Sequence, residues 1–219
     1  MRSSAACWAS AALAAAALAG AASAASPELD EILRRMASTS GVEAPFEERK
    51  EISPLAEPLE TRGVIYFVPP DRFARFTSSP GVSALVVTGD AVQIREGADG
   101  KPVDLSGNRV ARVFVENFVA LWSGDRDKLE SLYQAEFHGT RDAWEMRLVP
   151  RRPPLSEVLS AITLRGDRDS MRELLVEERD GDRTTTRFGA TQTDRVFTPD
   201  ELRQIFGAGQ PLEGARAER

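Results

Sequence analysis

Gly63-Val64-Ile65-Tyr66-Phe67-Val68-Pro69-Pro70-Asp71-Arg72-Phe73-Ala74-Arg75-Phe76-Thr77-Ser78-Ser79-Pro80-Gly81-Val82-Ser83-Ala84-Leu85-Val86-Val87-Thr88-Gly89-Asp90 holds three apolar runs separated by Pro-Pro-Asp and Ser-Pro-Gly. Proline fixes φ and glycine tolerates positive φ, so both separators reverse the chain. The expected result is a meander of short antiparallel strands. These runs show little polar alternation, and a strand apolar on both sides needs cover on both faces. Either the sheet is sandwiched, or one face lines an apolar cavity. The second arrangement would suit a protein that handles lipid.

The first residues bear on compartment. Arg2 is the only charge before Glu28, an Ala/Leu run fills 11–19, and Ala22-Ser23-Ala24 offers small residues for cleavage. A basic start, an apolar middle and an A-x-A end predict a secretory signal peptide over 1–24. The run is too short and alanine-rich for a transmembrane helix. Cys7 is the single cysteine and precedes the apolar run, whereas a lipobox cysteine follows one. Its removal with the signal excludes disulfides, thiolate catalysis and cysteine-ligated metals. A soluble periplasmic protein is expected.

The 42% hydrophobic and 28% charged residues place the chain with ordinary globular proteins rather than disordered ones. Under 200 mature residues suit one domain, expected over 25–206, with a frayed tail over 207–219. The net charge of -6 becomes -7 once Arg2 is removed. An acidic chain without a basic run argues against nucleic acid and against charge-driven docking on anionic membranes. A monomer is expected.

Residues 27–38 predict a first helix, with Ser26 as N-cap and Leu29, Ile32, Leu33 and Met36 at helical spacing. A strand is expected over 42–53 and another over 90–96. Residues 108–122 give the clearest helix, where Val110, Val113, Phe114, Asn117, Phe118, Leu121 and Trp122 follow the i, i+3, i+4 repeat. Its aromatic stripe reads as core packing, or as a lid across the mouth of a sheet through Phe114, Phe118 and Trp122. A short helix follows over 126–133.

Trp144, Met146 and Leu148 alternate inward along the next strand. Residues 155–165 read as a further strand. Asp180-Gly181 marks a hairpin between 169–179 and 182–192. In it Arg187 and Thr184–Thr186 read as solvated edge positions. A last short helix begins at Thr198-Pro199-Asp200-Glu201. The total is nine to eleven antiparallel strands with inserted helices and no βαβ alternation. The fold class is α+β, mainly β, as an unclosed half-barrel whose helices lie over an apolar cavity.

Little in the sequence suggests catalysis. His138 is the single histidine, and no Gly-x-Ser-x-Gly elbow accompanies it. Metal-ligand spacing and phosphate-binding glycine loops are also missing from the sequence. Asp167-Arg168-Asp169 and Glu177-Glu178-Arg179-Asp180 read as solvated charge beside turns. A binding protein without cofactor or metal is expected, not an enzyme.

Gly63 and its apolar strand, Pro70, Phe73, Pro80, Leu85-Val86 and Gly89-Asp90 fall in one gapless run. With Phe46-x-x-Arg49 upstream and Asp180-Gly181-x-x-Thr184 downstream, the chain resembles a divergent branch of the LolA-type outer-membrane lipoprotein carriers over roughly residues 28–206. That resemblance implies an unclosed barrel with a helical lid that binds lipoprotein acyl chains. It also implies an inner-membrane ABC exporter as donor and an outer-membrane acceptor. One position departs. The family's functional arginine directly precedes the first proline of this run, where this chain has Pro69, with Arg72 and Arg75 nearby. The departure opens the cargo to another lipid, a pigment-linked one included.

On this reading the acyl cavity is expected to be lined by Phe46, Ile65, Phe67, Phe73, Leu85, Val87, Trp144, Met146 and Leu148. Arg49 and Arg75 are the candidates for polar contact. A periplasmic regulatory module built on a similar half-barrel and acting through a protein partner is the alternative.

Overall fold

The computed structural model describes residues 27–53, 55–168 and 170–212, without the side chains of Val110, Phe114 and Phe118. The expected signal segment, Cys7 and the Ser26 cap lie outside the described residues.

Helix α1 (Pro27–Ala37) precedes β1 (Val42–Glu51), β2 (Leu59–Val68), β3 (Arg72–Ser79), β4 (Ser83–Thr88), β5 (Ala91–Glu96) and the short β6 (Val103–Asp104). Helices α2 (Arg109–Ser123) and α3 (Arg126–Leu132) interrupt the strands. The chain continues through β7 (Tyr133–Thr140), β8 (Ala143–Pro150), α4 (Leu155–Val158), β9 (Leu159–Asp167), β10 (Ser170–Glu178) and β11 (Arg183–Phe188). It then forms α5 (Pro199–Leu202), which runs into a π-helical turn at Arg203–Gly207.

The eleven strands form one antiparallel sheet in the order β6-β5-β4-β3-β2-β1-β11-β10-β9-β8-β7. β6 and β7 stand at opposite ends without pairing, so the barrel is unclosed. Pairing of β1 with β11 joins the two halves, from Phe46 opposite Phe188 to Glu51 opposite Arg183. β11 is therefore central, which corrects the reading of Thr184–Thr186 as edge positions. The expected strand over 155–165 is also corrected. Its first four residues form α4, and β9 begins at Leu159.

Alternation along each strand sends one set of side chains to each face. On the concave face lie Phe46, Phe67, Phe73, Val87, Trp144, Met146 and Leu148, in one core with Leu29, Ile32, Leu33 and Met36 of α1. The apolar stripe of α1 thus plugs part of the trough. On the convex face Val64, Tyr66, Ala74, Phe76, Ala84 and Val86 form a second core with Phe197, Ile205 and Leu212. The C-terminal arm is the second cover that the two-sided strands required.

The tail expected to fray from Gly207 is packed through Leu212. Leu212 is buried, and its N–H donates to the Tyr66 hydroxyl at 3.2 Å. Arg95 donates to the Gly209 carbonyl at 2.8 Å. Burial pushes the Tyr66 phenol up to about 12.

Gly63 and Gly181 are among the glycines that the geometry requires. A Cβ at Gly63 would lie 1.9 Å from the Phe76 carbonyl oxygen and 2.8 Å from the Phe46 ring. The β2–β3 register shifts beside it, between Arg62 and Gly63. Gly181, in the β10–β11 turn, has φ +98°, a conformation glycine adopts without strain.

Candidate functional site

The concave face is not filled everywhere. Over β9, β10, β11 and β1 a cavity of about 400 Å³ remains beneath α2 and α4. Its floor follows from the strand register. Leu174, Thr186 and Glu48 stand side by side across β10, β11 and β1. One step along, Ile162, Val176, Thr184 and Lys50 form a parallel row. Each row runs from aliphatic through hydroxyl to charged side chains. The cavity is therefore apolar at one side and polar at the other.

The roof is apolar except at one point. Leu121 and Trp122 of α2 and Leu155 and Val158 of α4 line it. The Trp122 ring meets Phe188 edge to face, with centroids 5.3 Å apart. Trp122 thus belongs to both core and cavity. The Phe114 and Phe118 side chains lie outside the described residues.

At the polar side the charges are paired. Arg75 donates to Glu48 Oε1 at 2.8 Å, and the Thr186 hydroxyl donates to Glu48 Oε2 at 2.9 Å. The Arg75 guanidinium also lies 4.6 Å from the centre of the Phe46 ring. Lys50 and Glu178 form a second pair at 3.1 Å. Paired in this way, the four groups present dipoles rather than net charge to the cavity.

Two polar groups stay unmatched. Tyr133, at the start of β7, and Asn117, in the middle of α2, both line the cavity and are 0% and 4% exposed. The Tyr133 hydroxyl and Asn117 Oδ1 have no hydrogen-bond partner among the described residues. Asn117 Nδ2 donates to the Val113 carbonyl one turn back. That carbonyl can only accept, so the amide is oriented with its oxygen outward from the bond. Burial pushes the Tyr133 phenol well above its ordinary value.

Asn117 and Leu155 are shared with a more open depression of about 780 Å³, bordered by Arg109, Arg151, Arg152, Glu116 and Glu130. Pro153 and Pro154 border this depression as well.

Of the nine expected cavity residues, only Ile65 lines the cavity. Phe46, Phe67, Phe73, Val87, Trp144, Met146 and Leu148 are buried in the concave core, with Leu85 packed against it half-buried. They share the trough but occupy its filled part. Arg75 lines the cavity. Arg49 does not: it is one residue out of phase with Glu48 and Lys50, is exposed and pairs with Glu51 at 3.2 Å.

Sequence reasoning missed Glu48, Lys50, Tyr133, Thr184 and Thr186. The signal was present in alternation, since Phe46 inward places residues 48 and 50 inward, and Phe188 does the same for 186 and 184. Pro69 sits half-buried where the chain turns from β2 into β3.

Other groups with chemical potential are engaged elsewhere. His138 is exposed on β7. Carboxylate oxygens of Glu178, Asp180 and Asp182 lie within 4.8 Å of one another. They accept from the Lys50 ammonium, the Asp182 N–H and the Ser53 N–H respectively. No helix among the described residues is long and apolar enough to cross a membrane.

A family model described as "Outer membrane lipoprotein carrier protein LolA-like" matches residues 21–206. No curated protein sequence matches significantly. Among solved structures, a DUF1329-family protein from Desulfovibrio piger is similar at 12% identity and TM-score 0.47, over 81% of this chain and 94% of that one. A LolA-superfamily protein from Nitrosomonas europaea has 10% identity and TM-score 0.45, over 81% and 97%. The Pseudomonas aeruginosa MucA/MucB complex has 16% identity and TM-score 0.48, over 80% and 58%. The family assignment rests on the 21–206 match.

Proposed function

The chain belongs to the LolA-like family of outer membrane lipoprotein carriers, and on that premise we propose that it is a periplasmic carrier binding the acyl chains of a lipoprotein or related lipid and moving them toward the outer membrane. The observation that carries this reading is the cavity of about 400 Å³ left open in an otherwise filled trough. Small-molecule pockets span roughly 300–1,000 Å³, so this one suits a single chain better than several. Each buried CH₂ stabilises the complex by about 0.8 kcal/mol. A carrier must also release its cargo, and a site open along one side limits how much of the chain it buries.

The roof residues Leu121 and Trp122 act as the lid on this reading. They move with α2, and ligand and roof compete for the wall at Leu174 and Phe188. Cargo would arrive from an inner-membrane exporter and leave to an outer-membrane acceptor. Binding requires no covalent step.

The test is native mass spectrometry of the protein purified from the periplasm, paired with a fluorescent fatty-acid probe. Co-purified lipid and probe binding are expected. Leu174→Trp, which fills the cavity from its floor, should lose probe binding while staying folded. A lipid-free protein that leaves the probe unbound would overturn the reading, and a bound protein partner in its place would favour a regulatory module.

A further inference from the structure

The carrier reading says that a chain enters the cavity; the two unmatched polar groups say what that chain carries. Asn117 Oδ1 and the Tyr133 hydroxyl are buried in a wall otherwise built from Leu121, Trp122, Leu155 and Ile162. Leaving such groups without partners is costly, whereas apolar replacements of similar shape would not be. A cavity meant for hydrocarbon alone would be better served by Leu and Phe at these positions.

Their chemistry defines the complement. One Asn117 N–H is committed to the Val113 carbonyl, which leaves Oδ1 as the unmatched acceptor that Asn117 offers the cavity. Tyr133 stays protonated and offers a donor. One acceptor and one donor match a group with one N–H and one C=O. An ester supplies only the carbonyl. An ether or plain chain supplies less.

We propose that this cavity recognises a secondary amide, so that its cargo is an N-acyl amine whose N–H donates to Asn117 Oδ1 and whose carbonyl accepts from Tyr133 O–H. This rests on the acyl-carrier reading and narrows its cargo. Both residues would be specificity determinants placed where the chain joins its head. The open depression that shares Asn117 receives the head on this arrangement.

The test uses two neutral ligands that differ in one group, N-methyldodecanamide and methyl dodecanoate. Each displaces a fluorescent fatty acid from the mature protein. The amide is expected to displace the probe at about tenfold lower concentration, the effect of one hydrogen bond to a buried group. Asn117→Leu should bring the ratio of the two ligands close to one. Tyr133→Phe should weaken both ligands. Each variant, freed of an unmatched polar group, should unfold at equal or higher urea concentration than the parent when empty.

Equal displacement by amide and ester in the parent would overturn this inference, because it would mean that water meets both groups, while leaving the acyl-carrier reading standing. Failure of the probe and of both ligands to bind would overturn both. Native mass spectrometry of the loaded protein then separates an N-acylated polypeptide from a small N-acyl lipid by adduct mass. An adduct holding only ester-linked chains would count against the proposal.

Discussion

Over β2, β3, β4 and β8 the concave face is filled. Phe67, Phe73, Val87 and Trp144 are at most 4% exposed there and share a core with the stripe of α1. Over β9, β10, β11 and β1 the same face of the same sheet is hollow, and the cavity lies on it. The side chains differ in reach. Aromatics dominate the filled half, whereas Leu174, Val176, Thr184 and Thr186 pave the hollow one. The convex sides differ in parallel. Behind β2, β3 and β4 lies the C-terminal arm, and behind β8, β9 and β10 runs a ladder of ion pairs, Arg165 with Glu145 and Glu173 at 2.7 Å each. A half sandwiched between apolar layers can serve as a frame. A half with short side chains inside and charge outside can stay open without an unfilled outer face.

The sharpest way to break this comparison is to shorten one side chain in each half. Phe67→Ala should cost about 3–5 kcal/mol, because it leaves a new void among packed neighbours. Val176→Ala, beside a void that already exists, should cost about 1 kcal/mol. Urea unfolding measures both. Equal losses would mean that the two halves are equally packed.

Lengthening side chains inverts the test at smaller amplitude. Val87→Phe should destabilise by about 1–3 kcal/mol through overpacking. Val176→Phe should change stability by less than about 1 kcal/mol, because its ring enters existing space. It should also abolish binding of the fluorescent fatty acid. Retained probe binding with Phe at 176 would place the ligand elsewhere.

This contrast explains what was legible in the sequence. Strands apolar on both sides announced two covers, and both exist. The identity of the convex cover was hidden, because the arm contributes only scattered anchors, Phe197, Ile205 and Leu212, in a polar and glycine-rich stretch. The strand number, the α2 stripe and the Asp180-Gly181 turn were readable from local pattern. The hollow half was not. A wall that faces a cavity and a wall that faces another side chain are both apolar, so Phe67 and Ile65 look alike in sequence. What separates them is which helix lies opposite, a fact of tertiary packing. Thr184 and Thr186 looked solvated because β-hairpin threonines at a sheet edge usually are, and only the β1–β11 pairing makes them interior.

The arm behind the filled half supplies the smallest and most specific prediction. Its helix starts with a capping box. Thr198 N–H donates to Glu201 Oε2 at 2.7 Å, and Glu201 N–H donates to Thr198 Oγ1 at 3.3 Å. The backbone bond from Thr198 holds the Glu201 carboxyl below its ordinary value of 4.5. Arg195 links this cap to the sheet, lying 2.8 Å from both Glu201 and Glu43. Glu43 behaves oppositely. Burial raises its pKa above 4.5, against the pull of Arg195. Thr198→Ala should cost about 1 kcal/mol by loss of the cap. The two acids then give opposite pH slopes. Stability from Glu201 is complete above its unfolded value and is lost as pH falls through the lower folded value. Stability from protonated Glu43 is complete below its unfolded value and is lost as pH rises through the higher folded one. Urea midpoints taken from about pH 3 to about pH 7 read both slopes. The gap between wild type and Glu201→Gln should close as the solution is acidified. Glu43→Gln should gain on wild type as pH rises. Slopes of the same sign would break the link through Arg195, and with it the account of the arm as a fastened cover that frees only the opposite half to bind.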